Sequence, residues 1–140
     1  MLHLQKLSVG SESVEDLSAW QATPRAQAPD GKPRHVTRMW PKRAEELLDG
    51  GSIYWVIKGM ILCRQRLLRL DPYEDAEGVV RCAIVSDPEL VRVVPTPRRP
   101  FQGWRYLKPE DAPRDLSPRE AREAPLPASL SAALAEIGVL

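Results

Sequence analysis

"SIYWVIKGMILCRQRLLRL", residues 52–70, decides the fold. Ile53, Tyr54, Trp55, Val56 and Ile57 form the longest apolar run of the chain, and β-branched and aromatic side chains of this kind suit a pleated, buried surface. Gly59 divides the stretch, so it reads as two strands, with Pro72 marking the end of the second. A connection of turn length favours antiparallel pairing over a crossover. Downstream, "GVVRCAIVS" (78–86) sets Val80, Cys82 and Ile84 against Val79, Arg81, Ala83 and Val85. "ELVRVV" (89–94) is another short strand, closed by "PTPRRP" (95–100).

Upstream, "PKRAEELLDGG" (41–51) opens with proline, which suits a first helical turn, and puts Ala44, Leu47 and Leu48 on one face. Gly50 and Gly51 end that helix. "HVTRMW" (35–40) reads as a strand running into Pro41. "LHLQKLSV" (2–9) alternates apolar and polar residues with one slip and predicts a first strand. Ser13 followed by Asp16 imitates a capping box, after which Val14, Leu17 and Trp20 share a helical face until Pro24. Residues 23–34, "TPRAQAPDGKPR", collect three prolines and a glycine and read as a mobile surface loop.

The order β-α, loop, β-α, then four closely spaced strands predicts an α+β domain. Its strands curl into a small antiparallel β-barrel or strongly bent sheet with flanking helices. Residues 1–116 make a single domain. Residues 117–140 form a C-terminal extension with a cap at Ser117 and Pro118, then a short amphipathic helix through Leu130, Leu134 and Ile137. That helix either docks on the domain or meets a partner protein.

At 140 residues the chain is long enough for one domain that buries about two-thirds of its unfolded surface. No apolar run approaches the ~20 residues of a membrane span, so no membrane partner is expected. "MLHLQKLSVG" lacks the basic and apolar regions of a secretory signal, which makes the cytoplasm the default compartment. Cys63 and Cys82 fall in apolar strands without a CxxC partner and read as buried free thiols, with a disulfide as the alternative. Together with His3 and His35 they match no zinc spacing, so no metal and no cofactor is expected. The net charge of +1 is unevenly spread. Residues 34–108 hold 14 Lys and Arg against 9 Asp and Glu, whereas both flanks are acidic. A basic middle suits an anionic partner.

Two blocks, "HVTRMWPKRAEELLDGGSIYWVIKG" (35–59) and "RRPFQGWRYLKPEDAP" (98–113), resemble a family of short, uncharacterised alphaproteobacterial proteins known only as domain of unknown function number 1489. That family implies no activity. "WPKRAEELLDGGSIYWVI" (40–57), a proline-started helix ending in glycine and feeding a strand, is similar to the opening of PUA-like domains, in particular the ASCH branch. The similarity implies a small barrel with flanking helices that binds RNA or a modified nucleotide. ASCH domains usually carry lysine, then glutamate or arginine, after the glycine, and their amidohydrolases a Lys-x-x-Thr arrangement. Here Gly51, Ser52, Ile53, Tyr54 and Trp55 are all uncharged, so the similarity implies binding and not catalysis.

Four groups of side chains are candidates for such binding. Arg38, Trp40 and Lys42 flank the second helix, where cations could hold phosphate while the indole stacks a base. The alternative makes Trp40 a plug before Pro41. Tyr54 and Trp55 point to opposite faces: Trp55 joins Ile53 and Ile57 in the core, and Tyr54 points outward with Lys58. Arg64 and Arg66 share a strand face with Met60, Leu62 and Leu68, and suit either a phosphate backbone or pairing with Asp87 or Glu89. In "RRPFQGWRYL" (98–107), Arg98, Arg99, Gln102 and Arg105 could read a base edge. Gln102, Trp104 and Tyr106 share one face there, Phe101, Gly103 and Arg105 the other, and part of the aromatic set seals the core.

No catalytic residue is assigned, since no nucleophile–base pair, carboxylate pair or Gly-rich phosphate loop is present. The expected function is RNA or nucleotide binding. The alternatives are a small hydrolase of a modified nucleoside, with its cleft between the second helix and residues 98–106, and a protein-interaction module using the C-terminal helix.

Overall fold

The computed structural model describes residues 1–123. The strands are β1 (His3–Leu7), β2 (Arg34–Thr37), β3 (Ser52–Ile57), β4 (Met60–Glu74), β5 (Val80–Ser86), β6 (Val91–Pro97) and β7 (Trp104–Leu107). The helices are α1 (Val14–Gln21), α2 (Ala44–Leu48) and α3 (Pro118–Glu123). The strands form one mixed sheet in the order β2-β5-β4-β3-β1-β7, with β6 also on β4.

β4 organises this sheet because it is long enough to serve two lobes in succession. One of its edges carries β3, from Ser52 opposite Arg66 to Ile57 opposite Met60. The other carries β6 along Met60–Arg64 and then β5 along Leu67–Glu74. A bulge between Leu67 and Arg69 marks the change of partner, and bulges bend and twist the strand that holds them. Of barrel and strongly bent sheet, the chain takes the bent sheet, and it stays open. β4 also runs past Pro72, which pairs with Cys82. Proline is tolerated there because this half of β4 has lost β3 and lies at an edge.

β1 and β3 run parallel, with Leu4 opposite Ile53 and Lys6 opposite Trp55, while every other pairing is antiparallel. The segment between them, which holds α1, β2 and α2, supplies the length a parallel crossover needs.

The central strands are covered on both faces. One face packs Leu4, Ile53, Trp55, Ile57, Cys63, Leu67, Cys82, Ile84 and Trp104 under Val14 and Leu17 of α1 and Leu47 of α2. These residues come from both lobes, so the sheet folds around them and this is its inner face. The outer face holds a smaller cluster of Tyr54, Val56, Ile61, Val93 and Leu107, against which Leu7, Phe101 and Ala112 pack. Tyr54 is thus buried, 4% exposed, and does not project with Lys58, because residues 109–115 close over the outer face. Leu62 likewise joins the inner cluster and not the face of Arg64, since a bulge between Ile61 and Cys63 breaks the alternation.

Local signals behave as their chemistry requires. The Ser13 hydroxyl accepts the Asp16 N–H at 3.0 Å, capping α1. Ser117 and Glu120 exchange side-chain-to-backbone hydrogen bonds at the start of α3. Residues 23–34 are tied down: Pro24–Ala26 form a 3-10 turn, Ala28 donates to Lys32 at 2.8 Å, and Ala26 and Ala28 are buried. Cys63 and Cys82 are free and buried, as expected. The helix anticipated through Leu130 and Ile137 lies outside the described residues. No helix among the described residues is long and apolar enough to cross a membrane.

Candidate functional site

On the inner face, Trp104, Lys6 and Trp55 stand side by side across β7, β1 and β3. Lysine between two tryptophans on a core-facing surface is unusual, since burial disfavours its charge. Lys6 is half-buried at the end of β1, and that burial lowers its pKa from the ordinary lysine value. His35 of β2 meets Trp55 edge to face, with ring centroids 5.9 Å apart. Trp20, at the end of α1, completes the group. Lys6, Leu7, Ser8, Val9, Trp20, His35 and Trp55 together line a cleft of about 230 Å³. That lies a little below the roughly 300 Å³ at which small-molecule pockets begin, a size for one ring system and not for a large cofactor.

The floor of this cleft is rigid. Gln65 is fully buried and all four of its amide hydrogen-bonding capacities are used. Its Oε1 accepts from Trp55 Nε1 and from Gln21 Nε2, both at 2.8 Å. Its Nε2 donates to Gln21 Oε1 at 2.7 Å and to the Asp87 carbonyl at 3.0 Å. Trp55 therefore cannot turn, and α1 is fixed across the cleft from β4.

The walls are different: they keep capacity in reserve. Neither Lys6 Nζ nor either ring nitrogen of His35 hydrogen-bonds to a described residue, and among the described residues no buried polar side-chain atom is left without a partner. These three nitrogens therefore reach solvent, and both side chains line the cleft. Burial, then the charge of Lys6, pushes the His35 pKa down to about 4. His35 is neutral at physiological pH, with one nitrogen donating and the other accepting. Trp20 is 52% exposed at the rim. Ser8 and Ser86 line the region, yet neither hydroxyl bonds to His35, so no nucleophile–base pair forms. The arrangement can hold a flat ring against indole and imidazole and place an anionic group on Lys6.

The residues singled out in the sequence do not converge on this cleft. Arg38 is exposed beside Val79, Val80 and Arg81 at the β2–β5 rim. Trp40, 41% exposed, and Lys42 lie on the segment entering α2. Trp104 is 7% exposed, with its Nε1 on the Met39 carbonyl at 2.9 Å. Tyr106 Oη accepts the N–H groups of Lys42 and Arg43 at 2.9 and 3.2 Å. The interval between α2 and residues 98–106 is therefore bridged at several points. Lys58 pairs with Glu12 at the β3–β4 turn, against which Arg98 docks through its N–H to the Gly59 carbonyl. Arg98 also reaches Gln5 Oε1 at 3.2 Å, Arg105 lies over the Phe101 ring at 5.0 Å, and Arg99 and Gln102 are exposed nearby. Arg64 is forked onto Asp115, and not onto Asp87 or Glu89, while Arg66 is exposed. Arg64, Arg66 and Arg105 all belong to the outer face.

A family model described as "Protein of unknown function (DUF1489)" matches residues 4–140. The chain belongs to this family. The match runs past residue 116, the end of the domain expected from the sequence, and takes in residues 117–140. No curated protein and no solved structure matches the chain. Lys6, Trp20 and His35 carried no signal of their own in the sequence: they lie on three separate elements, and only the β1–β3 register and the bend at β4 bring them to Trp55.

Proposed function

We propose that this chain binds a nucleotide, free or as a unit of RNA, with its base stacked on Trp20 at the mouth of the inner cleft and its phosphate against Lys6. One observation carries this reading: a half-buried lysine and a neutral histidine keep nitrogens without a described hydrogen-bond partner beside two indoles in one cleft. The aromatic rings supply sequence-tolerant stacking, and His35 can donate to or accept from a base edge. The similarity of residues 40–57 to the opening of PUA-like domains supports the same class of ligand. Nothing in the cleft favours the nucleoside-hydrolase alternative, and the helix of the interaction-module alternative lies outside the described residues.

Titration of tryptophan fluorescence with nucleoside monophosphates tests the proposal. Stacking is worth roughly 1–3 kcal/mol per base, so Trp20→Ala weakens binding by about 5- to 150-fold. Lys6→Gln flattens the salt dependence. A nucleotide affinity unchanged by Trp20→Ala sinks the idea.

A further inference from the structure

The outer face of the same sheet carries a second cleft, of about 360 Å³, lined by His3, Ser52, Tyr54 and Arg64 from β1, β3 and β4 and by Ala112, Arg114 and Asp115 of the segment that follows β7. Its floor is made of buried polar side chains: His3 is 6% exposed, Tyr54 4% and Ser52 1%. His3 Nδ1 accepts the Ser52 N–H at 3.0 Å, which fixes the neutral ring with its proton on Nε2. Neither that Nε2–H nor the Tyr54 hydroxyl hydrogen-bonds to a described residue. Since no buried polar side-chain atom among the described residues lacks a partner, both reach solvent, and both side chains line the cleft. Ser52 Oγ accepts from Arg64 Nη1 at 3.0 Å, which leaves its own proton to donate.

We propose that this cleft binds a phosphate monoester group. His3 Nε2–H, Tyr54 Oη–H, Ser52 Oγ–H and the Arg64 guanidinium are all donors, and they converge on one concave surface. Their number and spread suit a tetrahedral dianion with three terminal oxygens. Asp115 is the intramolecular occupant of Arg64: its two oxygens take Arg64 Nε and Nη2, both at 2.7 Å. A carboxylate ligand would exchange like for like, whereas a phosphate dianion brings more charge and more acceptors to the same fork. The site does not rest on the nucleotide reading, because its side chains lie on the opposite face of the sheet from Trp20, Lys6 and His35.

Thermal unfolding of the 140-residue chain in rising inorganic phosphate, against potassium chloride of equal ionic strength, is the test. A saturable rise in Tm is expected with phosphate alone. Tyr54→Phe removes one oxygen and keeps the packed ring, and it weakens phosphate binding at least fivefold. Asp115→Asn frees the guanidinium and strengthens binding several-fold. No saturable shift, an equal shift in Tyr54→Phe, or saturation by acetate in place of phosphate overturns the proposal, leaving the donors to water.

Discussion

Gln21 and Gln65 meet amide to amide in both directions, at 2.7 and 2.8 Å, and Gln65 spends its remaining capacity on Trp55 Nε1 and the Asp87 carbonyl. This one buried side chain joins α1, β3, β4 and the β5–β6 connection. Gln65→Leu keeps the bulk but strands three partners, each costing about 1–3 kcal/mol when buried and unpaired. A loss of about 3 kcal/mol or more is expected in urea unfolding. Gln21→Leu, at a half-buried position, loses about 1 kcal/mol. Near-equal stability of Gln65→Leu and wild type contradicts this role.

The sequence alone disclosed the strands and caps well and the site poorly. Ser13 caps α1 through the Asp16 N–H, as their spacing requires, while the Asp16 carboxylate takes the Glu12 N–H in place of that of Ser13; residues 52–70 form the antiparallel pair at the centre of the sheet. These features depend on neighbours in the chain. Tyr54 was misplaced because alternation assigns opposite faces without saying that both are covered, here by α1 and α2 and by residues 109–115. Arg64 read as a cation for phosphate or for Asp87 or Glu89; its partner, Asp115, is 51 residues away and arrives only through the Val93–Asp115 bridge. Lys6 looked like the polar half of an alternating strand, and only its parallel register with Trp55 sets it among aromatics.

Gly51 and Gly50 test the packing of α2 on β1. A Cβ on Gly51 would lie 2.1 Å from the Leu2 carbonyl oxygen and 2.3 Å from that of Leu47, both backbone atoms that cannot step aside. Gly51→Ala therefore costs about 3 kcal/mol or more in chemical denaturation. Gly50 has φ +82° and a Cβ there would meet only the flexible Met1 Cε at an ordinary 3.6 Å, so Gly50→Ala carries mainly the left-handed strain of about 1–2 kcal/mol. The reverse ranking would contradict the close approach.

Acid should weaken the fold through His35. Its pKa falls from 6.5 to about 4 on folding, so the unfolded chain binds the proton more tightly. Stability is then complete above about pH 6.5 and declines as the pH falls towards 4, by about 2 kcal/mol at pH 5. His3, also lowered by burial and by Arg64, adds in the same direction. The lowered carboxyls of Asp30, Asp75, Asp115 and Glu120 matter mainly below that window. Urea unfolding at pH 7 and pH 5 checks the slope, which His35→Asn should reduce.

The two thiols should be inert in the native protein. Burial pushes Cys63 up to about 12 and Cys82 up to about 11, which suppresses the reactive thiolate at neutral pH. Alkylation by iodoacetamide at pH 8 should follow unfolding, slow in buffer and fast in urea. Rapid native labelling of either cysteine would contradict their packing.

In the proposed complex the ligand sits at Trp20, Trp55, His35 and Lys6. The most direct test of this placement is a ¹H–¹⁵N spectrum of the indole N–H groups during titration with a nucleoside monophosphate. The four tryptophans, Trp20, Trp40, Trp55 and Trp104, report on different places. Saturable shifts of the Trp20 and Trp55 signals, with Trp40 and Trp104 at rest, are the result predicted. Shifts confined to Trp40 and to the amides of Arg98, Arg99 and Gln102 would contradict it and return binding to the exposed segments around residues 38–42 and 98–105.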